Sequence, residues 1–167
     1  VGKTMAEKAA WDYVKETKDC FEVVMINPVL IIGPSIAAGG GVSEKFVESL
    51  VHNERPSNKP AGNGYVDVRE VATAHIQGIK VPEAAGKRFL LQSDEKTKKE
   101  IAEMLREKFG PRGFQTFDWE DPADADAPRN SNKRAREILG VQFRPLEETF
   151  VDAVDSLIAA GKIKDPS

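Results

Sequence analysis

The chain has 167 residues, 40% of them hydrophobic and 31% charged, with Lys+Arg 24 against Asp+Glu 27 for a net charge of -3. That length carries one domain with a real core, or part of a larger one. Its slight acidity excludes the basic field that draws nucleic acid, no apolar run is long enough to span a bilayer, and the lone cysteine, Cys20, excludes an internal disulfide. A single thiol fits a reducing compartment, so a cytoplasmic location is the expectation.

The first residues run straight into a helical pattern with no cap-rich lead-in, so a cut or missing segment is expected ahead of Val1. Residues 4–18 predict a helix, with Met5, Ala6, Ala9, Ala10, Tyr13 and Val14 as a broad apolar face. Residues 21–26, FEVVMI, are apolar and rich in β-branched side chains, which predicts a strand buried on both faces in a parallel sheet. Asn27-Pro28 should stop it, because proline cannot donate to a ladder. A second apolar burst over 29–32 ends at the turn signal Gly33-Pro34. In open parallel sheets ligands bind at the carboxyl ends of the strands, so residues 27–30 are the first place to expect one.

Gly39, Gly40 and Gly41 predict a flexible loop, and Ser43 is placed to cap a helix over 44–52 with Phe46, Val47, Leu50 and Val51 inward. After a breaker-rich loop, Tyr65-Val66 suggests a short strand. Asp67 then caps a helix whose inward face is read as Val68, Val71, Ala72, His75, Ile76 and Ile79. Residues 88–91 predict a strand, 98–109 a helix closed by Gly110-Pro111, 114–117 a strand, and 131–139 a short helix ended by Gly140. Pro145 opens a last helix carrying Leu146, Phe150, Val154, Leu157 and Ile158.

Several constellations compete for attention. Gly2-Lys3-Thr4 ahead of a helix has the tail of a phosphate-cradling loop, but no apolar strand ends in the aspartate that would hold magnesium. Asp121, Asp124 and Asp126 alternate like a calcium loop without its glycine or its closing glutamate, and read as a solvated acidic loop. Phe117 and Trp119 beside them read as packing, with a pocket lining as the rival. His75 reads as a packed, hydrogen-bonded histidine, and Asp67 with Arg69 as a helix start and ion-pair anchor.

The blocks TMAEKAAWDYVKE, NPVLIIGPS, YVDVREVATAHI and PEAAGKRFLL, followed by the closing NSNKRAREILGVQFRPLEETFVDAVDSLIAAGKI, occur in one order. Together they resemble the C-terminal half of the extended short-chain dehydrogenase/reductases. Within that family the likeness is to the branch of dihydroflavonol reductase, cinnamoyl-CoA reductase and the NADPH-dependent aldehyde/ketone reductases. It covers nearly the whole chain and is weakest over 94–128.

The resemblance implies a Rossmann-type doubly wound α/β sheet with a smaller substrate-binding lobe. Residues 1–34 would end the dinucleotide-binding domain, and 35–167 would form mainly the lobe, with 65–91 returning to the sheet. It implies NADP(H) as cofactor, with NAD(H) left open because the residues that read the ribose phosphate lie upstream. The substrate would be a small carbonyl compound. Lys3 falls where the family has the lysine of its Y-x-x-x-K pair. There an ammonium lowers the pKa of a tyrosine that protonates the carbonyl oxygen, and it also binds the nicotinamide ribose. Pro28, Val29, Leu30 and Ile31 match the segment passing the nicotinamide ring, and Ser43 a cofactor-contacting serine. Residues 39–41 would border the substrate, or form a plain turn. The family also allows a homodimer through the Lys3 helix. Rival readings are a nucleotide-sugar epimerase or hydroxysteroid dehydrogenase of the same fold, and a non-catalytic truncated subunit. On its own the chain is expected to bind no cofactor tightly and to turn nothing over.

Overall fold

The computed structural model describes residues 2–17, 21–36, 41–54, 64–93, 95–116 and 130–166. Cys20, Gly39, Gly40, Phe117, Trp119, Asp121, Asp124 and Asp126 lie outside them.

Two helices flank the proline-broken segment: α1, Gly2–Glu16, and α2, Val42–Val51. Between them the segment forms β1, Met25–Pro28, and β2, Leu30–Ile32. The strand thus lies later than the expected 21–26 and takes in the proline. Backbone parity explains this. Met25 N donates to Lys87 O at 2.9 Å and Val29 N to Leu91 O at 3.1 Å, so alternate amides of β1 face one neighbour. The nitrogen of Pro28, which has no hydrogen to give, faces the other edge, where no described strand pairs.

Four parallel strands are described in two pairs. β1 pairs with β4, Arg88–Leu91, in the register Met25↔Arg88, and β2 pairs with β3, Tyr65–Asp67, in the register Leu30↔Tyr65. The chain therefore passes from one pair to the other at Val29. Parallel strands need long crossovers, and α3, Val68–Lys80, occupies the one between β3 and β4. The remaining helices are α4, Lys98–Phe109, α5, Lys133–Leu139, and α6, Leu146–Ala159. This is the α/β, Rossmann-type fold class expected from the sequence.

The strands feed two cores, with β2 and β3 contributing side chains to both. Tyr65 stacks 6.4 Å from Phe46 of α2 and meets Phe150 of α6 edge-on at 5.3 Å, with Ile101, Leu105 and Phe109 of α4 closing the cluster. Phe89 and Leu91 of β4 pack with Val71 and Ala74 of α3 and Ala135 and Leu139 of α5. Burying side chains of this size stabilises by roughly 1.5–3 kcal/mol each.

Four further sequence expectations need correction. α3 buries Glu70, Val71, Ala74 and Gly78, whereas Val68, Ala72, His75, Ile76 and Ile79 are exposed. Gly78 explains the choice of face: a Cβ there would meet Val24 Cγ1 at 3.3 Å, so the missing side chain is what lets α3 seat closely beside β1. His75 is hydrogen-bonded through Nδ1 to Val71 O at 2.7 Å but is not packed. The α2 cap is Gly41 rather than Ser43, with Gly41 N donating to the Glu44 carboxylate at 2.8 Å. Residues 114–116 form no strand. The apolar face of α1 is uncovered among the described residues, with Met5 60% and Tyr13 57% exposed.

Candidate functional site

A cavity of about 370 Å³ opens where β2 ends. Ile31, Ile32 and Gly33 form its floor, Val42, Ser43 and Val47 of α2 one side, and Val68, Ala153 and Leu157 the other. The position follows from the fold, because β2, α2, the start of α3 and α6 all converge on the carboxyl ends of a parallel pair. Its lining is aliphatic apart from a few hydroxyls and one carboxylate. Glu44 turns that carboxylate back on Gly41 N and on Ser35 Oγ, and Ser35 N in turn donates to Ser156 Oγ at 3.0 Å.

Of the residues singled out in the sequence, the structure brings Ile31 and Ser43 together on this cavity. Because Gly41 holds the cap, Ser43 sits inside the first turn of α2, and its hydroxyl makes no hydrogen bond among the described residues. Pro28 and Val29 lie at the tip of β1 and Leu30 opens β2, all half-buried, and none of the three lines the cavity. Lys3 is exposed in the first turn of α1. It shares a helix face with Glu7, four residues on, and Glu7 accepts from Arg88 Nε at 2.7 Å. Arg88 pairs in register with Met25, so the Lys3 face of α1 is the one fastened to the β1–β4 pair.

One feature was missed in the sequence. Asn27 Nδ2 is buried at the end of β1 with no hydrogen-bond partner, an orphan donor beside Pro28. The Asn27-Pro28 signal pointed to the spot but not to the amide. Behind Gly33 lies the wholly buried Asp67, whose Oδ1 would stand 3.1 Å from a Cβ on that glycine. Burial works against the Asp67 charge, but the Arg69 side chain and backbone amide outweigh it and hold the carboxyl below its ordinary range. Asp67 is thus the expected helix cap and ion-pair anchor, with Arg69 N donating at 2.8 Å.

No protein-family model matches the chain. Its sequence is 32% identical, over 93% of its length and 49% of the relative's, to a putative NADPH-dependent methylglyoxal reductase of Candida albicans. It is 34% identical to a bifunctional dihydroflavonol 4-reductase/flavanone 4-reductase of Pyrus communis, over 100% of the chain and 48% of the relative. The chain is a homologue of these reductases. Its backbone agrees, superposing on the crystal structure of yeast methylglyoxal/isovaleraldehyde reductase complexed with NADPH with a TM-score of 0.77 at 29% identity. That match covers 96% of this chain and 55% of the other. The chain spans about half the length of the curated relatives it matches. No described helix is long and apolar enough to cross a membrane.

Proposed function

We propose that this chain is the C-terminal half of an NADPH-dependent carbonyl reductase acting on a small aldehyde or ketone. The observation that carries the reading is the pairing of homology to such reductases over 93% of the chain with a cavity at the strand ends that holds Ile31 and Ser43. NADPH, when bound, supplies the hydride that reaches the carbonyl carbon. In this reading Pro28, Val29, Leu30 and Ile31 pass the nicotinamide ring, and the orphan amide of Asn27 fits a polar group beside them. Ser43 offers a further hydroxyl to the cofactor. The Lys3 ammonium binds the ribose hydroxyls and lowers the pKa of the tyrosine that protonates the carbonyl oxygen.

That tyrosine has to come from outside these residues, since neither Tyr13 nor Tyr65 precedes a lysine by four. The sequence holds no G-x-G-x-x-G phosphate loop either. The 167 residues alone therefore bind NADPH weakly and reduce nothing. Two copies pair through α1, whose exposed Met5 and Tyr13 offer the apolar contact.

Absorbance at 340 nm tests this in the longest natural form of the protein, mixed with NADPH and a panel of small aldehydes and ketones. Consumption of NADPH with at least one of them is the expected result. Its absence across the panel, or micromolar NADPH affinity in the isolated 167 residues, overturns the reading.

A further inference from the structure

Behind the Gly33 corner of the cavity lies an ionic cluster assembled from distant parts of the chain. Asp67 and Glu70 are buried at the start of α3, 0% and 3% exposed. Arg144, from the link between α5 and α6, brings Nη1 to 2.6 Å from Glu70 Oε1 and 3.3 Å from Asp67 Oδ1, and its Nε donates to Glu148 at 2.9 Å. Arg69 pairs with Asp67 through Nη2 and with Asp152 through Nη1, both at 2.7 Å. Glu148 and Asp152 stand on α6, so the cluster ties the first turn of α3 to α6. Those same two helices give Val68, Ala153 and Leu157 to the cavity wall.

The charges do not balance. Asp67, Glu70, Glu148 and Asp152 share two guanidiniums, Arg69 and Arg144. Glu70 is the most buried of the four after Asp67, and besides a backbone hydrogen bond from Arg144 its support is incomplete. Its Oε2 is buried with no hydrogen-bond partner, and Arg144 Nη1 approaches Oε1 without the alignment of a hydrogen bond. Burial first, and then the Asp67 charge, push the Glu70 carboxyl up to about 7, against the pull of Arg144 and Arg69.

The other charged groups on the neighbouring elements are exposed, like Glu83 in the turn after α3, or engaged elsewhere, like Glu147 and Asp155 of α6 with Lys108 and Arg112. On α5, Lys133 stands 3.7 Å from Glu137, Arg134 donates to Arg88 O and Arg136 to Asn132. His75 is on the exposed face of α3. The described strands beside α3 add Asp67, already in the cluster, and Arg88, which faces Glu7.

We propose that Glu70 is a proton-linked positioning residue: protonated, it lets the cluster hold α6 against α3 behind the cavity; ionised, it adds a fourth carboxylate charge to a cluster with two guanidiniums, and this loosens the wall. Because the folded carboxyl titrates above its unfolded value, the stabilisation is fully present below about pH 4.5 and is lost as pH rises through about 7.

Thermal melts of the protein and of Glu70→Gln between pH 6 and 8.5 test this. The wild-type Tm should fall by roughly 3–6 °C relative to the variant across that range, and the variant should match or exceed it at pH 8.5. Amide exchange in residues 153–157, corrected for its intrinsic pH dependence, should accelerate above pH 7 in the wild type and not in the variant. Parallel profiles overturn the proposal. Should Glu70→Gln fail to fold, the carboxyl ¹³C titration of Glu70 in the unaltered protein decides: a midpoint near 7 supports the clamp, and one near 4.5 overturns it. This clamp and the reductase reading stand or fall separately, since neither melts nor exchange depends on turnover.

Discussion

Arg88 donates to Glu7 at 2.7 Å across 81 residues of chain, fastening α1 to the first residue of β4. The Arg88 side chain is 55% exposed, so the pair contributes under ~1 kcal/mol to stability. In the reductase reading its role is to orient the helix face that also carries Lys3. Arg88→Ala should leave Tm within a few degrees while lowering kcat in the reductase assay several-fold. A loss of stability with unchanged kcat would make the contact merely structural. The guanidinium also holds the Glu7 carboxyl below its ordinary range, so this tether persists at mildly acidic pH and weakens as pH falls through that lowered value.

Ser43→Ala separates a cap from a cofactor contact. Gly41 holds the cap position, so loss of the Ser43 hydroxyl should change stability by less than ~0.5 kcal/mol. KM for NADPH should rise several-fold with kcat nearly unchanged, the pattern of lost uniform binding. Steady-state kinetics with NADPH varied, beside a denaturant melt, checks both halves.

Gly33→Ala strikes the cavity floor. Gly33 has φ +132°, and a Cβ there would meet Val68 Cγ1 at 3.0 Å and Asp67 Oδ1 at 3.1 Å. The strained backbone alone costs about 1–3 kcal/mol, before the contact pushes on the buried Asp67. Chemical denaturation should show a loss of at least that size. A neutral substitution would mean that this corner can relax away from Asp67.

The closing segments were legible in the sequence because their signals are local. Helix α4 runs over the expected 98–109 from its period and its Gly110-Pro111 stop; the structure adds a cap in which the Thr97 hydroxyl accepts from Glu100 N and the Glu100 carboxylate accepts from Thr97 N at 2.7 Å. α6 follows Pro145 and buries Leu146, Phe150, Val154 and Leu157 as its period predicts. Periodicity picks the wrong side of α3, Val71 apart, because the helix is apolar on two sides and the period cannot choose between them. The choice came from Gly78 fitting against Val24 and from Arg144 reaching Glu70, partners that lie far along the chain. Ile31 and Ser43 could be named from motif order. The facing wall, Ala153 and Leu157 of α6, could not, since nothing local in a helix says which strand end it will cover.

The central proposal is that Lys3 and the tip of β1 serve one nicotinamide ring. In the longest natural form of the protein, Lys3→Ala should cut kcat for NADPH-dependent carbonyl reduction by roughly 10²–10⁴-fold and flatten the alkaline side of the pH profile, since the tyrosine loses the ammonium that lowers its pKa. Retention of kcat within about threefold of wild type, with an unchanged pH profile, would contradict it.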